Sequence, residues 1–279
     1  MKQTLFLSKE ELGTEYFINK LSQRDVAKKY KVSKSAVYRL QKKYNLEPLD
    51  DWERRYPEHL SQIQKEVLYG SILGDDCLYR FKTANYACLM VCHAHSQKEY
   101  AELKFQIWKP FIRQNTLTKR TRSNGIRYVF TTGGHPELEQ IRKQVYINNI
   151  KVVSLSFLNN LTPISLAFWF QDDGSRCKNR GLALHTNCFQ LNEVQLICDW
   201  FMNKLQIVCK PQKRAENQWV VFFSNKTSEK FVQIIAPWTH PILRYKFEGI
   251  FSKNPQRLYD IPFLSTTLIP QTEDIVRPA

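Results

Sequence analysis

Leu68-Tyr-Gly-Ser-Ile-Leu-Gly-Asp75-Asp76 and Leu166-Ala-Phe-Trp-Phe-Gln-Asp-Asp173-Gly174 are the two stretches on which the reading of this 279-residue chain turns. Each is an apolar run with helical spacing that stops at adjacent carboxylates. An acidic side chain at a helix C-terminus opposes the helix dipole, so end-capping is a poor explanation for either. One such helix would be unremarkable. Two of them, with Asp75 and Asp173 98 residues apart, suggest that the chain downstream of each is also repeated.

The downstream segments have the same order. After a helix over 61–74, alternating residues predict strands over 77–82 and 86–95, a helix over 97–112, a strand pair around 117–132 and a helix over 136–145. The second copy opens at Thr162-Pro163, a cap followed by proline at the first helical position. It continues with a strand over 181–186, a helix over 192–204, strands over 207–213 and 218–224, and a helix over 228–235. The fold class is therefore α+β, with two pseudo-symmetric αββαββα halves produced by internal duplication. The halves are expected at 61–160 and 161–262, with a C-terminal tail at 263–279.

Over these nine-residue stretches the chain resembles the LAGLIDADG homing endonucleases, single-chain type, with Asp75 and Asp173 both at the acidic eighth position. The resemblance spans roughly 61–255. It implies motif helices packed at a pseudodyad, saddle-shaped sheets in the major groove, and terminal aspartates that bind Mg2+ or Mn2+. Phe168 stands where the first motif has Gly70, Asp172 where it has Gly74, and Asp76 where the consensus has glycine. The register favours Asp75 over Asp76 and Asp173 over Asp172 as metal ligands. Lys151 follows Asp75 by 76 residues and Lys246 follows Asp173 by 73. Relatives place a basic residue near each scissile phosphate at such points, so both lysines are expected to be catalytic, Lys151 on the weaker alignment. The chemistry is sound without the name. Phosphodiester hydrolysis needs an in-line hydroxide and neutralised phosphate charge, and carboxylates holding a hard cation provide both.

The sequence before these halves reads differently. Residues 14–46 predict three short helices, with Ser22 and Ser33 as caps and Val26, Ala27, Val37 and Leu40 facing inward. This pattern resembles a helix-turn-helix of the bacterial kind, although Lys31 sits where such turns often hold glycine. Lys34, Ser35, Tyr38 and Arg39 would then face DNA. The small all-α module is expected over 1–48, with a linker at 49–60, where Pro48 and Pro57 break the helical pattern.

Composition fits a polyanionic partner. Forty-one Lys and Arg against 26 Asp and Glu give a formal charge of +15, and neutralising phosphates with such residues releases counterions. No run approaches the roughly 20 apolar residues of a membrane span. Seven scattered cysteines suit a reducing compartment. Cys88, Cys92, His93 and His95 lack a second ligand pair and read as parts of a strand. With no secretory signal, the expected setting is the cytoplasm of a bacterium or phage-infected cell, or an organelle matrix. On the strands, Arg80, Lys82, Arg120, Arg122, Arg176, Lys178 and Lys213 are the candidates for phosphate and base contacts. The expected function is a monomeric, sequence-specific, metal-dependent endonuclease on double-stranded DNA, cutting within a long asymmetric site as an intron homing enzyme would. A transcription regulator that only binds DNA and an RNA-binding maturase acting on its own intron RNA are the alternatives.

Overall fold

The computed structural model describes residues 5–123, 125–177, 181–250 and 262–269. The chain divides between Glu58 and His59 into two compact units.

The first unit is all-helical. Helix α1 (Lys9–Gly13) runs into a π-helical turn over Thr14–Ile18, and α2 (Gln23–Lys29) and α3 (Lys34–Tyr44) come next. Ser22 and Ser33 accept hydrogen bonds from the backbone N–H groups of Asp25 and Ala36, satisfying orphan donors at the starts of α2 and α3. Lys31, between them, takes a left-handed φ of 54°. Leu12, Tyr16, Val26 and Val37 are fully buried in the core. The helical region begins earlier than expected, at Lys9. The stretch expected as a linker also carries a helix, α4 (Asp51–Arg55), because Asp50 and Glu53 form a capping box there.

The second unit contains the duplicated order. Its first half runs α5 (Gln62–Leu73), β1 (Cys77–Tyr79), β2 (Cys88–Ala94), α6 (Lys98–Trp108), β3 (Thr118–Arg122), β4 (Gly125–Thr131) and α7 (Pro136–Val145). A β5–β6 hairpin (Tyr146–Ile147 and Ile150–Lys151) and α8 (Leu155–Leu158) then lead to the second half. That half runs α9 (Pro163–Asp173), β7 (Gly174–Cys177), β8 (Gly181–Leu184), α10 (Leu191–Leu205), β9 (Cys209–Ala215), β10 (Gln218–Phe223) and α11 (Asn225–Ile235). Both sheets are antiparallel with the same strand order, β1-β2-β4-β3 and β7-β8-β10-β9. Strand β7, which the sequence did not mark out separately, begins at the glycine directly after Asp173.

Each sheet is covered on one face by its own helices. Leu89, Val91 and Phe130 point inward in the first half, where Phe105 of α6 meets Phe130 edge-on at 5.6 Å. In the second half Phe201, Phe223 and Phe231 form a mutual cluster with centroids 4.7–5.5 Å apart. Helices α5 and α9 pack against each other at the centre. Helix α9 buries residues on all sides, Ile164 to Asp172 without a break, as a central helix must.

Close approach of α5 and α9 depends on two glycines, for a Cβ at Gly74 would lie 2.5 Å from Asp172 Cβ. A Cβ at Gly70 would lie 1.9 Å from the Ser165 carbonyl oxygen. The Ser165 hydroxyl in turn donates to the Glu66 carbonyl at 2.8 Å. The tight crossing therefore uses Gly70 against Ser165. Phe168, at the position matching Gly70, instead packs its ring near Tyr100 at 5.8 Å.

Candidate catalytic centre

The two motif helices bring their last residues to one place, and the four aspartates there divide into two pairs. Asp75 reaches solvent and Asp173 is half-buried, whereas Asp76 and Asp172 are buried. Helix α5 ends at Leu73 and Gly74 caps it, so Asp75 leaves the helix axis while Asp76 turns back inside. The Asp76 backbone N–H bonds the Ser71 carbonyl at 3.1 Å, which fixes that turn. Helix α9 continues through Asp173 before Gly174 begins β7.

The buried pair is held by a side chain that sequence reasoning passed over. Lys104 of α6 is fully buried, and its ammonium lies 2.9 Å from Asp76 Oδ2 and 3.0 Å from both Asp172 carboxylate oxygens. Tyr100, one turn earlier, donates to Asp172 Oδ1 at 2.9 Å. Burial alone would lower the Lys104 pKa, but Asp172 and Asp76 hold it above its ordinary value. The ammonium stays charged. Asp76 and Asp172, the two acidic departures from the motif, thus answer a single lysine. A signal was present: Lys104 falls one turn from both Tyr100 and Trp108, on the apolar face of its helix, where an unpaired charge would be very costly.

Lys151 and Lys246 occupy matched positions. Lys151 Nζ donates to the Gly74 carbonyl at 3.0 Å, and Lys246 Nζ to the Gln171 and Asp172 carbonyls at 2.6 and 3.0 Å. Each ammonium therefore sits on the carbonyl immediately preceding one of the two outer aspartates. A cation is favourable there, since it meets unsatisfied carbonyls at the negative end of the helix.

Burial raises the carboxyls of the outer pair and also that of Asp76, which it pushes up to about 7 against the pull of Lys104. Burial, together with Asp75 and Asp172, pushes the Asp173 carboxyl up to about 7. Asp75 reaches solvent on one side only; protein on the others desolvates it, and Asp172 adds to the rise in its pKa. Four carboxylates and three ammonium groups lie within one another's fields here, leaving excess negative charge in a partly dry setting. One ligand atom from each of Asp75, His93 and Asp172 lies within 4.8 Å of the others. Carboxylate oxygens at such a site fit a hard divalent cation. His93, facing inward from β2, is held neutral by burial and by Lys104, its pKa lowered to about 4. Cys92, its neighbour, is exposed on the opposite face, so β2 cannot offer both to one ion.

The strand candidates are spread over different surfaces. Arg120 and Arg122 are exposed on β3, and Arg120 pairs across with Arg127, which pairs with Ala94. Lys82 is exposed in the β1–β2 connection and Lys213 is exposed opposite Trp219. Arg80 and Arg176 are both exposed, and each also has a neighbour within the protein. Arg80 alternates with buried Leu78 and lies 3.6 Å from Glu139 of α7. Arg176 pairs with buried Leu182, and its guanidinium packs against Gly249. Register puts Arg176 on the face of Leu182, whereas Arg80 lies just beyond the end of β1. Lys178 lies outside the described residues. In the first unit, Lys34, Ser35, Tyr38 and Arg39 are all exposed on α3.

The LAGLIDADG DNA endonuclease family matches residues 65–231. Probable intron-encoded endonuclease 1 of Wickerhamomyces canadensis is 28% identical over 213 residues, covering 72% of this chain and 90% of the relative. Cytochrome b mRNA maturase bI2 of Debaryomyces hansenii is 30% identical over 195 residues, 67% of this chain and 74% of the relative. Among solved structures, the homing endonuclease I-WcaI bound to its DNA recognition sequence superposes with a TM-score of 0.64 at 27% identity. That match covers 74% of this chain and 96% of the other.

Proposed function

The chain belongs to the LAGLIDADG DNA endonuclease family, and from that premise we propose that it is an intron-type homing endonuclease cutting both strands of a double-stranded DNA site. The observation that carries this reading is the paired geometry at the helix ends. Asp75 and Asp173 are the outward carboxylates of two matched helices, each with a lysine on the preceding carbonyl. A purely DNA-binding protein gains nothing from carboxylates directed at phosphates.

Asp75 and Asp173 would hold Mg2+ or Mn2+, which when bound supplies a Lewis acid and a water of lowered pKa. The protein's own groups do the rest. Asp75 and Asp173 fix where the charge sits, one for each strand. Lys151 and Lys246 offer their remaining N–H bonds to developing negative charge on the phosphate oxygens. Arg120, Arg122 and Arg127 on the first sheet, and Lys213 on the second, bind phosphates or guanine edges. In the first unit, Lys34, Ser35, Tyr38 and Arg39 on α3 add a second DNA contact of the helix-turn-helix kind.

The test is incubation of the full chain with a randomised duplex library in Mg2+ and, separately, in EDTA. Recovery of one enriched, cut sequence in Mg2+ alone supports the proposal. A chain that binds duplex DNA in Mg2+ yet releases no cut ends favours the regulator. Preferential binding of intron RNA favours the maturase reading, which the D. hansenii relative brings into consideration.

A further inference from the structure

Among the described residues Lys104 has no counterpart on the matching helix of the second half. Helix α10, which matches α6 in element order, buries Val194, Ile197, Cys198, Trp200 and Phe201, and no amine. The ammonium of Lys104 is the fully buried one of the three ammonium groups at this centre. Around it lies a set of groups with the makings of a cation site. Asp75, His93 and Asp172 each bring one ligand atom to within 4.8 Å of the others, with His93 and Asp172 buried. Two polar atoms aim into the same space with no hydrogen-bond partner: His93 Nε2 and Asp76 Oδ1, both almost wholly buried and 4.0 Å apart.

We propose that Lys104 is a built-in counter-cation. It neutralises Asp76 and Asp172 beside His93, so that no divalent ion is drawn onto these buried groups, and so confines the catalytic ions to the outer carboxylates Asp75 and Asp173. The second half of this statement rests on the endonuclease reading; the first half does not. Two carboxylates offer Mn2+ the oxygen donors it prefers, with the imidazole as a third ligand. An ion held there would draw Asp172 and Asp76 off their present positions, and with them the adjoining Asp173 and Asp75. A lysine neutralises the same carboxylates through three hydrogen bonds without being exchangeable. Lys104 is in this sense a positioning residue, acting through Asp76 and Asp172 and touching no substrate.

The test uses the full chain and reads metal binding and thermal midpoint, so it does not depend on cleavage. Lys104→Met removes the charge at similar volume, and Lys104→Arg keeps it. Calorimetric titration is expected to find about one more Mn2+ bound per Lys104→Met chain than per native chain. Saturating Mn2+ should raise the midpoint of Lys104→Met by roughly 5 °C more than it raises the native midpoint. Lys104→Arg should match the native stoichiometry, and the extra ion should be lost again in Lys104→Met/His93→Gln. Equal stoichiometry and equal shifts in Lys104→Met and the native chain overturn the proposal. A Lys104→Met chain that stays unfolded in Mn2+ as well as in EDTA overturns it too. If the native chain binds no Mn2+ while Lys104→Met gains one, the counter-cation role stands and the assignment of ions to Asp75 and Asp173 fails.

Discussion

Replacing Gly70 by alanine tests whether the approach of α5 to α9 sets the catalytic geometry. The added Cβ would lie 1.9 Å from the Ser165 carbonyl oxygen and 2.7 Å from its carbon, against a lower edge of ordinary contact near 3.4 Å. Both obstructing atoms are backbone in the interior of a helix, so neither can rotate away. Relief therefore requires the helices to separate by about 1.5 Å, which also breaks the Ser165–Glu66 hydrogen bond. Overpacking of this kind costs about 3 kcal/mol at its upper end, and the better helix propensity of alanine returns about 1 kcal/mol. A net loss of about 2 kcal/mol lowers the midpoint of a unit this size by roughly 4–8 °C. The two helices carry Asp75 and Asp173 at their ends, and a displacement of about 1 Å can reduce a rate by ~10²-fold. Thermal denaturation and single-turnover cleavage are measured side by side, with Gly13→Ala as control. Gly13 is helical and its nearest neighbour is Phe17 at 3.9 Å, so alanine there should be neutral or stabilising. The reasoning is refuted if Gly70→Ala keeps the native midpoint and cleaves within about threefold of the native rate.

Three further outcomes are expected from the same structure. Burial raises the Glu15 pKa, but hydrogen bonds from Lys29, Tyr30 and Asn19 outweigh it and hold the carboxyl below 4.5. Its stabilisation is therefore complete above the unfolded value and fades as pH falls through the folded one. Glu15→Gln should lose about 1–2 kcal/mol of first-unit stability at pH 7, seen as faster hydrogen exchange in α2 and α3, and the difference from native should shrink as pH falls below the ordinary glutamate range. A difference that persists undiminished at pH 3 contradicts the assignment. Lys246→Met should slow single-turnover cleavage by ~10²-fold or more, as loss of one charge-stabilising donor does, with duplex affinity little changed; a native rate would reduce Lys246 to a helix cap. Removing residues 1–58 should shallow the salt dependence of duplex binding by about 0.9 in log–log slope for every phosphate that the helical unit neutralises. An unchanged slope would show that this unit does not touch DNA.

Much of the architecture was legible because it is local. The apolar periodicity of α5 and α9, the Thr162-Pro163 start and the matched order of strands and helices all sit in contiguous sequence. The outward aspartates came from register alone. Features that depend on distant partners could not be read. Asp76 and Asp172 looked like motif irregularities because the lysine that explains them is 28 and 68 residues away. The neighbours of Arg80 and Arg176, Glu139 and Gly249, are equally distant in sequence and equally out of reach of a local reading. Strand β7 begins directly at the end of α9, so no turn residues announced it. The exchange of Gly70 and Ser165 across the central crossing was likewise invisible, since the motif pattern points to residue 168.

The central claim is that Asp75 and Asp173 each serve the breakage of a DNA strand. Its most direct test is strand-resolved, single-turnover cleavage of the selected duplex by native, Asp75→Asn and Asp173→Asn chains in Mg2+. The account predicts native cutting of both strands, and a fall of ~10²-fold or more in double-strand cleavage for either variant, at near-native duplex affinity. Linearisation of the duplex at the native rate by either variant would contradict it.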